Sequence, residues 1–301
     1  MNLSWLDDFL TLAANGNFSR AADERHMTQP AFSRRIMALE EWLGVDLFDR
    51  GSKPPRLTET GLWFRQVAQD LLADVARVPG EARAIAEANS ATLRFAATHA
   101  LSFTFIPRWL RGLESQTTIG PIQLISDVYK RCEAFLLQSQ VQFVLSHAHE
   151  RTRGPLHSGG YRSLILGSDE LIPVSAADKN GQPIRRLSDA SKSAPLVLLD
   201  YSDESGLGGI LRAVHGLALV RLPVQHVFTA HLASVLRTMV LDNRGVAWLP
   251  ATLVSEDITS GRLAVAASED WRIRLEIRLY RDRTPLGRAG ERFWEAVSSA
   301  T

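Results

Sequence analysis

Between residues 64 and 85 apolar side chains recur at a spacing that only a long helix places on one side. Phe64, Val67, Leu71, Val75, Val78, Ala82 and Ile85 follow one another at intervals of 3, 4, 4, 3, 4 and 3. This is a near-heptad seam with one four-residue stutter, and such a seam wants a partner helix, or else packs on its own domain. A helix there divides the 301 residues into a small N-terminal part and a large C-terminal one, which is more than one core at the usual ~150 residues per domain. Pro79-Gly80 interrupts the seam. Because proline removes one helical backbone bond, a kink near Val78 is expected, and Asn89-Ser90-Ala91 closes the segment.

Ahead of the seam, Leu6, Phe9, Leu10 and Ala13 mark one face of a helix that Asn15-Gly16-Asn17 stops. Ser19 is the expected cap of a short second helix through Arg25, in which Ala21 and Ala22 allow a neighbour to approach closely. A third helix opens at Thr28 as N-cap, tolerates Pro30 in its first turn and runs to Leu43-Gly44. Phe32, Ile36, Leu39 and Leu43 share its inner side. At 100° per residue Pro30 and Arg34 then point outward, with Ser33 and Arg35 flanking. Two short helices joined by a tight turn, the second offering its first residues outward, fit a DNA major groove. Gln29, Ser33 and Arg34 are the candidates for base edges, although a Ser-Arg-Arg run by itself equally describes a solvated face. The segments Asp46 to Arg50 and Pro55 to Thr58 read as strands around Gly51-Ser52-Lys53-Pro54, a hairpin with basic residues at its tip that can track phosphates. Bulk charge does not help: the first 60 residues hold seven Arg or Lys against nine Asp or Glu.

Phe18-Ser19-x-Ala21-Ala22, Thr28-Gln29-Pro30-Ala31-Phe32-Ser33-x-x-Ile36, Leu39-Glu40-x-x-Leu43-Gly44, Leu47-Phe48-x-Arg50 and Leu57-Thr58-x-x-Gly61 together resemble the N-terminal pattern of LysR-type transcriptional regulators. One departure is Thr28, where the family often has Ser. A hydroxyl survives either way. The resemblance implies an N-terminal all-α winged helix-turn-helix over 1–61, a linker helix for dimerisation over 62–91, and a C-terminal α/β effector domain over 92–301 that is two-lobed and periplasmic-binding-protein-like. Lobe I would comprise 92–161 and 268–301, and lobe II 162–267. DNA contacts are then expected from Ser19, Thr28, Gln29, Pro30, Ser33, Arg34, Arg35, Arg50, Lys53 and Arg56. The implied partners are double-stranded promoter or operator DNA, a small-molecule effector, further copies in a homodimer or homotetramer, and RNA polymerase.

Beyond residue 92 strand-like and helix-like segments alternate, as in an α/β domain with a largely parallel sheet. Strands are expected at 93–97, 123–125, 142–145, 171–174, 196–199 and 246–249, with a ligand beyond their carboxyl ends. Candidate effector contacts are Thr98, His99 and Ser102 from one lobe and Tyr201 and Ser202 from the other, with Ser146, His147 and Thr229 at further strand ends. Hydroxyls and helix starts favour a polar or anionic ligand, while Asp203 and Glu204 argue against a strongly anionic one.

His99, His147 and His149 lack a repeated ligand spacing, so neither a metal nor another cofactor is expected. The single cysteine, Cys132, excludes an internal disulfide. Thr28 to Ile36, Gly245 to Pro250 and Glu291-Arg292-Phe293-Trp294 together resemble the branch of the family that contains hypochlorite-responsive regulators. That resemblance gives the alternative of a switch thrown by methionine or cysteine oxidation. No nucleophile elbow, phosphate loop or zinc motif supports an enzyme. A solute-binding transport protein would leave the first 60 residues idle. The absence of a basic-then-apolar leader and of any apolar run near ~18 residues gives the expectation of a cytoplasmic protein without membrane contact.

Overall fold

The computed structural model describes residues 2–49, 51–52, 54–86, 91–114, 119–152, 154–158 and 160–300. The chain forms two compact units, Met1–Pro79 and Gly80–Thr301.

The first unit holds helices α1 (Leu3–Asn15), α2 (Phe18–Glu24) and α3 (Gln29–Leu43), the hairpin of β1 (Phe48–Asp49) and β2 (Arg56–Leu57), and the first part of α4 (Glu59–Ala86). Gly16 ends α1 in the left-handed region at φ 59°, where glycine has no Cβ penalty. The turn leaves Asn17 extended, and its Oδ1 accepts the N–H groups of Ser19 and Arg20. Asn17, not Ser19, therefore caps α2. Thr28 does stand at the N-cap of α3, but its hydroxyl makes no capping bond. Leu6, Phe9 and Leu12 of α1 meet Phe32, Ile36 and Leu39 of α3 in one core, closed by Phe64 and Ala68 of α4.

That core splits the heptad-like seam. Phe64 belongs to the first unit's own interior, whereas Leu71, Val75, Val78 and Ile85 are exposed. The helix runs through Pro79 to Ala86 as one element.

In chain order the second unit contains β3 (Leu93–Thr98), α5 (His99–Thr104), α6 (Ile106–Glu114), β4 (Ile122–Asp127), α7 (Tyr129–Leu137), β5 (Phe143–Ala148), α8 (Pro155–Ser158) and β6 (Ser163–Ala176). It continues with β7 (Leu196–Tyr201), α9 (Gly206–Arg221), β8 (Val224–Ala230), α10 (Ala233–Leu241), β9 (Ala247–Pro250), α11 (Ala251–Thr259), β10 (Leu263–Val265), β11 (Ile273–Arg281) and α12 (Gly287–Ala300). The main sheet runs β10-β6-β11-β5-β3-β4, with β9 also on β6, and β7 and β8 form a separate parallel pair.

The expectation of a largely parallel sheet needs correction. β3 is parallel to β4 and β5, but β11 is antiparallel to both β5 and β6, and β9 and β10 are antiparallel to β6. The physical reason is the double crossing: β6 leaves the first lobe and β11 returns, so the two lie side by side in opposite directions. One core, around Phe95, Phe143, Phe293 and Trp294, fills the first lobe. Another, around Trp248, Leu198, Leu236 and Ile210, fills the second.

Candidate DNA interface and effector cleft

At the N-terminal end of α3, Thr28, Gln29, Pro30 and Arg34 are exposed and Ser33 is half-buried. The inner face is held by charge as well as by apolar contact. Asp8 of α1 is fully buried and receives Arg25 Nε and Arg35 Nε, each at 2.8 Å. Arg35 Nη1 also reaches Met27 Sδ at 3.2 Å. Arg35 is therefore drawn inward by a buried carboxylate and does not join the outward set with Arg34, a correction to its expected place. Among the described residues no ion pair engages Arg34. Ser19 is exposed at the start of α2.

The wing is tied to α3 by Glu40, a buried carboxylate whose Oε1 accepts the N–H groups of Leu47 at 2.9 Å and Phe48 at 3.2 Å. Ser52 Oγ donates to the Asp49 carbonyl and accepts the Arg56 N–H, leaving the Arg56 side chain exposed. Arg50 and Lys53 lie outside the described residues. Asp8 is not flagged by the motif, and Glu40 stands in it without a stated role; an acid among apolar positions of a helix's inner face is the signal that could have found both roles.

In the second unit a cleft separates the lobes where β3, β4 and β5 end. One chamber, of about 40 Å³, is lined by Thr98, His99, Asp127, His147, Ser205 and His231 among others. A second, about 230 Å³, opens beside it and is lined by Glu133, His157, Asp203 and Glu204, sharing Tyr129 and His147 with the first.

His99 Nδ1 lies 2.9 Å from Ser126 Oγ. Burial lowers the His99 pKa against the pull of Asp127, and His231, 6.4 Å away ring to ring, lowers it further. His147 Nε2 lies 3.3 Å from Asp169 Oδ2, and the same carboxylate takes the Thr252 hydroxyl at 2.6 Å. Burial alone would raise Asp169, but the hydrogen bond and charge of His147, with the bonds from Thr252 and the Glu170 N–H, hold it below the ordinary carboxylate value.

Of the expected effector contacts, Thr98, His99 and His147 line the cleft. Ser146 is wholly buried. The other four do not stand on either chamber's lining. The Tyr201 hydroxyl donates to the Trp248 carbonyl at 2.9 Å inside the second lobe's core, so this phenol is a packing residue. Ser102 Oγ bonds back to the Thr98 carbonyl within α5, and the Ser202 N–H extends the β7–β8 pairing by donating to Ala230. Thr229 is exposed on β8. Asp127, Tyr129, Ser205 and His231 were missed because each sits at or just before a helix start, the first ending β4, and sequence periodicity places such boundaries only to within a few residues.

Residues 3–62 match the sequence model for the bacterial regulatory helix-turn-helix protein, lysR family, and residues 86–301 match the LysR substrate binding domain. The chain belongs to the LysR family. It is a DNA-binding transcriptional regulator with an effector-binding domain of that type. The HTH-type transcriptional regulator YjiE of Escherichia coli K12 is 32% identical over 97% of this chain and 93% of its own length. Among solved structures, full-length HypT from Salmonella typhimurium, a hypochlorite-specific LysR-type regulator, is 29% identical with a TM-score of 0.58, covering 99% of this chain and 97% of that one. Vibrio fischeri DarR in complex with DNA is 29% identical with a TM-score of 0.57 over 99% and 98% of the two chains. Among the described residues of this LysR-family chain no helix is long and apolar enough to cross a membrane.

Proposed function

We propose that residues 1–61 read operator DNA, that the helix within 62–91 pairs with a second copy, and that 92–301 senses a small polar effector in its interlobe cleft. Lobe I would be 92–161 with 268–301, and lobe II 162–267. The observation that carries the DNA reading is the contrast on α3: Arg35 is consumed by buried Asp8, while Thr28, Gln29, Pro30 and Arg34 stand exposed with Ser33 beside them. These are base-edge candidates, and Arg56 on the wing, with Arg50 and Lys53, supplies phosphate contacts. DarR, similar over nearly the whole chain, has been solved on DNA, which supports the same use here.

Homodimers or homotetramers on a promoter, in reach of RNA polymerase, fit the exposed Leu71, Val75, Val78 and Ile85. A reversible ligand is favoured over oxidation of Cys132, which is fully buried and whose thiol burial pushes up to about 12, far from the reactive thiolate.

Duplexes selected by the full-length protein from a random pool provide the test. Arg34→Ala should lose discrimination between selected and scrambled duplexes, whereas Arg56→Ala should weaken both alike and flatten the salt dependence. Undiminished discrimination by Arg34→Ala would overturn the assignment of α3.

A further inference from the structure

A cavity larger than either chamber of the cleft lies elsewhere in the second unit. It measures about 600 Å³, inside the range of about 300–1,000 Å³ in which small-molecule sites fall. Every residue on its lining comes from 182–271, and none of them lines either chamber of the cleft. Its walls are the segment 182–190 between β6 and β7, the C-terminal end of β10, Leu222 behind α9, and Trp271.

These walls are held by bonds of their own. The Leu187 N–H donates to the Ala266 carbonyl at 2.9 Å, which ties the segment to the end of β10, and both residues are buried. Nearer the start of the segment, the Ile184 N–H donates to the Ala176 carbonyl at 2.9 Å and the Arg185 N–H to Ser175 Oγ at 3.1 Å, on a serine with no exposure. Trp271 is anchored from behind: its carbonyl accepts Trp248 Nε1 at 3.0 Å, and its ring lies 5.0 Å from that of His215. The hollow is therefore formed before any ligand arrives, and filling it orders little of the chain.

The chemistry of the lining is one-sided. Leu187, Leu222, Val265 and Ala266 make an apolar surface with the indole of Trp271, and Arg186 is the sole charged residue on it. Arg186 is exposed, and its Nη2 donates to the neutral Gln182 Oε1 at 2.9 Å; among the described residues no carboxylate pairs with it. Two neighbouring acids are committed elsewhere: Asp189 Oδ1 accepts the Ser188 hydroxyl at 2.9 Å, and Glu269 pairs with Arg272 at 3.4 Å. Asp270 is exposed and off the lining. An arginine without a counter-charge, at the edge of an apolar and partly aromatic hollow, can take a carboxylate in its planar fork.

We propose that this cavity is a ligand site separate from the cleft and that it takes a small aromatic carboxylate, with the ring over Leu187, Val265 and Trp271 and the carboxylate paired with Arg186. A compact inorganic anion would leave the apolar floor in water. An uncharged aromatic would leave the guanidinium without its counter-ion. Trp271 stands just ahead of Ile273, where β11 begins its return to the first lobe, so a ligand here rests at the root of that crossing and not between the lobes.

Titration calorimetry on the full-length protein at neutral pH, with 1-naphthoate and its uncharged analogue 1-naphthamide, tests this. Naphthoate should bind about tenfold more tightly than the amide, the difference a charge-assisted bond supplies. Arg186→Gln should bring naphthoate down to the affinity of the amide and leave the amide unchanged. Trp271→Leu should weaken both; should that variant fail to melt cooperatively, Ser188→Trp, at an exposed position on the rim, replaces it and should block both. Thr98→Val, in the cleft, should alter neither. Equal affinities for naphthoate and the amide, or naphthoate binding that Arg186→Gln does not touch, would overturn the proposal. So would the absence of binding, and so would binding that is lost in Thr98→Val but kept in Arg186→Gln, which puts the ligand in the cleft.

Discussion

Single carboxylates decide more of this molecule than its net charge does. Asp8 holds two arginines from different helices with no exposure of its own, so Asp8→Ala should strip the pairing from Arg25 and Arg35 and cost the DNA-reading unit about 3 kcal/mol, the low end for breaking a buried pair. Chemical denaturation read at both transitions would show the loss confined to that unit. Arg34→Ala should leave the melt unchanged while weakening operator binding by about 1–3 kcal/mol, roughly ten- to a hundredfold. Burial lowers His99, His149 and His215, so the folded chain disfavours their charged forms. Unfolded histidine titrates near 6.5. Below that value the unfolded chain takes up protons first, and stability present above it is lost as pH falls toward the depressed folded values. The melting temperature of the effector domain should therefore drop from pH 7.5 to pH 5.5, and His215→Gln should shrink that drop. An unchanged melting temperature across this range would remove the burial argument. Asp169 adds a lower limb of the same sign: its depressed carboxyl stabilises above about 4 and the contribution disappears as pH falls through the folded value.

At the scale of elements, α4 shows what a periodic pattern can and cannot say. The seam from Phe64 to Ile85 requires burial, but spacing does not name the partner: Phe64 found it in the first unit's own core, and Leu71, Val75 and Val78 did not. Leu71→Glu should consequently yield monomers in light scattering with folded DNA-reading units, and a dimer surviving that change would disprove pairing through this face. Gly80 is a second requirement of the helix. It is buried, and a Cβ there would overlap the Gln138 carbonyl and Ser139, so Gly80→Val should lower the stability of the second unit. The first unit was legible because motif residues and helix periodicity agree over α1 to β2. The effector domain was legible in its strands mainly where apolar runs are continuous, as at 196–199 or 246–249. β8 escaped because His226, Val227 and Thr229 lie on an exposed edge, and β11 because Arg274, Glu276 and Arg278 alternate with its apolar residues. Tyr201 was misplaced for a related reason: its hydroxyl suggests a ligand, but Trp248 offers a carbonyl inside the core.

Over the whole molecule, the lobes are joined by β6 and β11, which pair over most of their length with a shift of register between Ile277 and Arg278. A ligand bridging the lobes moves this ribbon only by its differential affinity for two poses. Thr98→Val should thus blunt any effector-dependent change in DNA footprint while basal binding persists. β11 also lies between β5 and β6 in the sheet, and Phe293 and Trp294 of α12 complete the first lobe's core. During synthesis the DNA reader can fold early, because its contacts close within the first 79 residues, and domains generally fold as units while the chain emerges. The sensor must wait for nearly the last residue. A ribosome stalled before residue 273 would carry a finished DNA grip attached to an effector domain still missing the strand that seams its halves together, a nascent regulator with its reader complete before its effector domain.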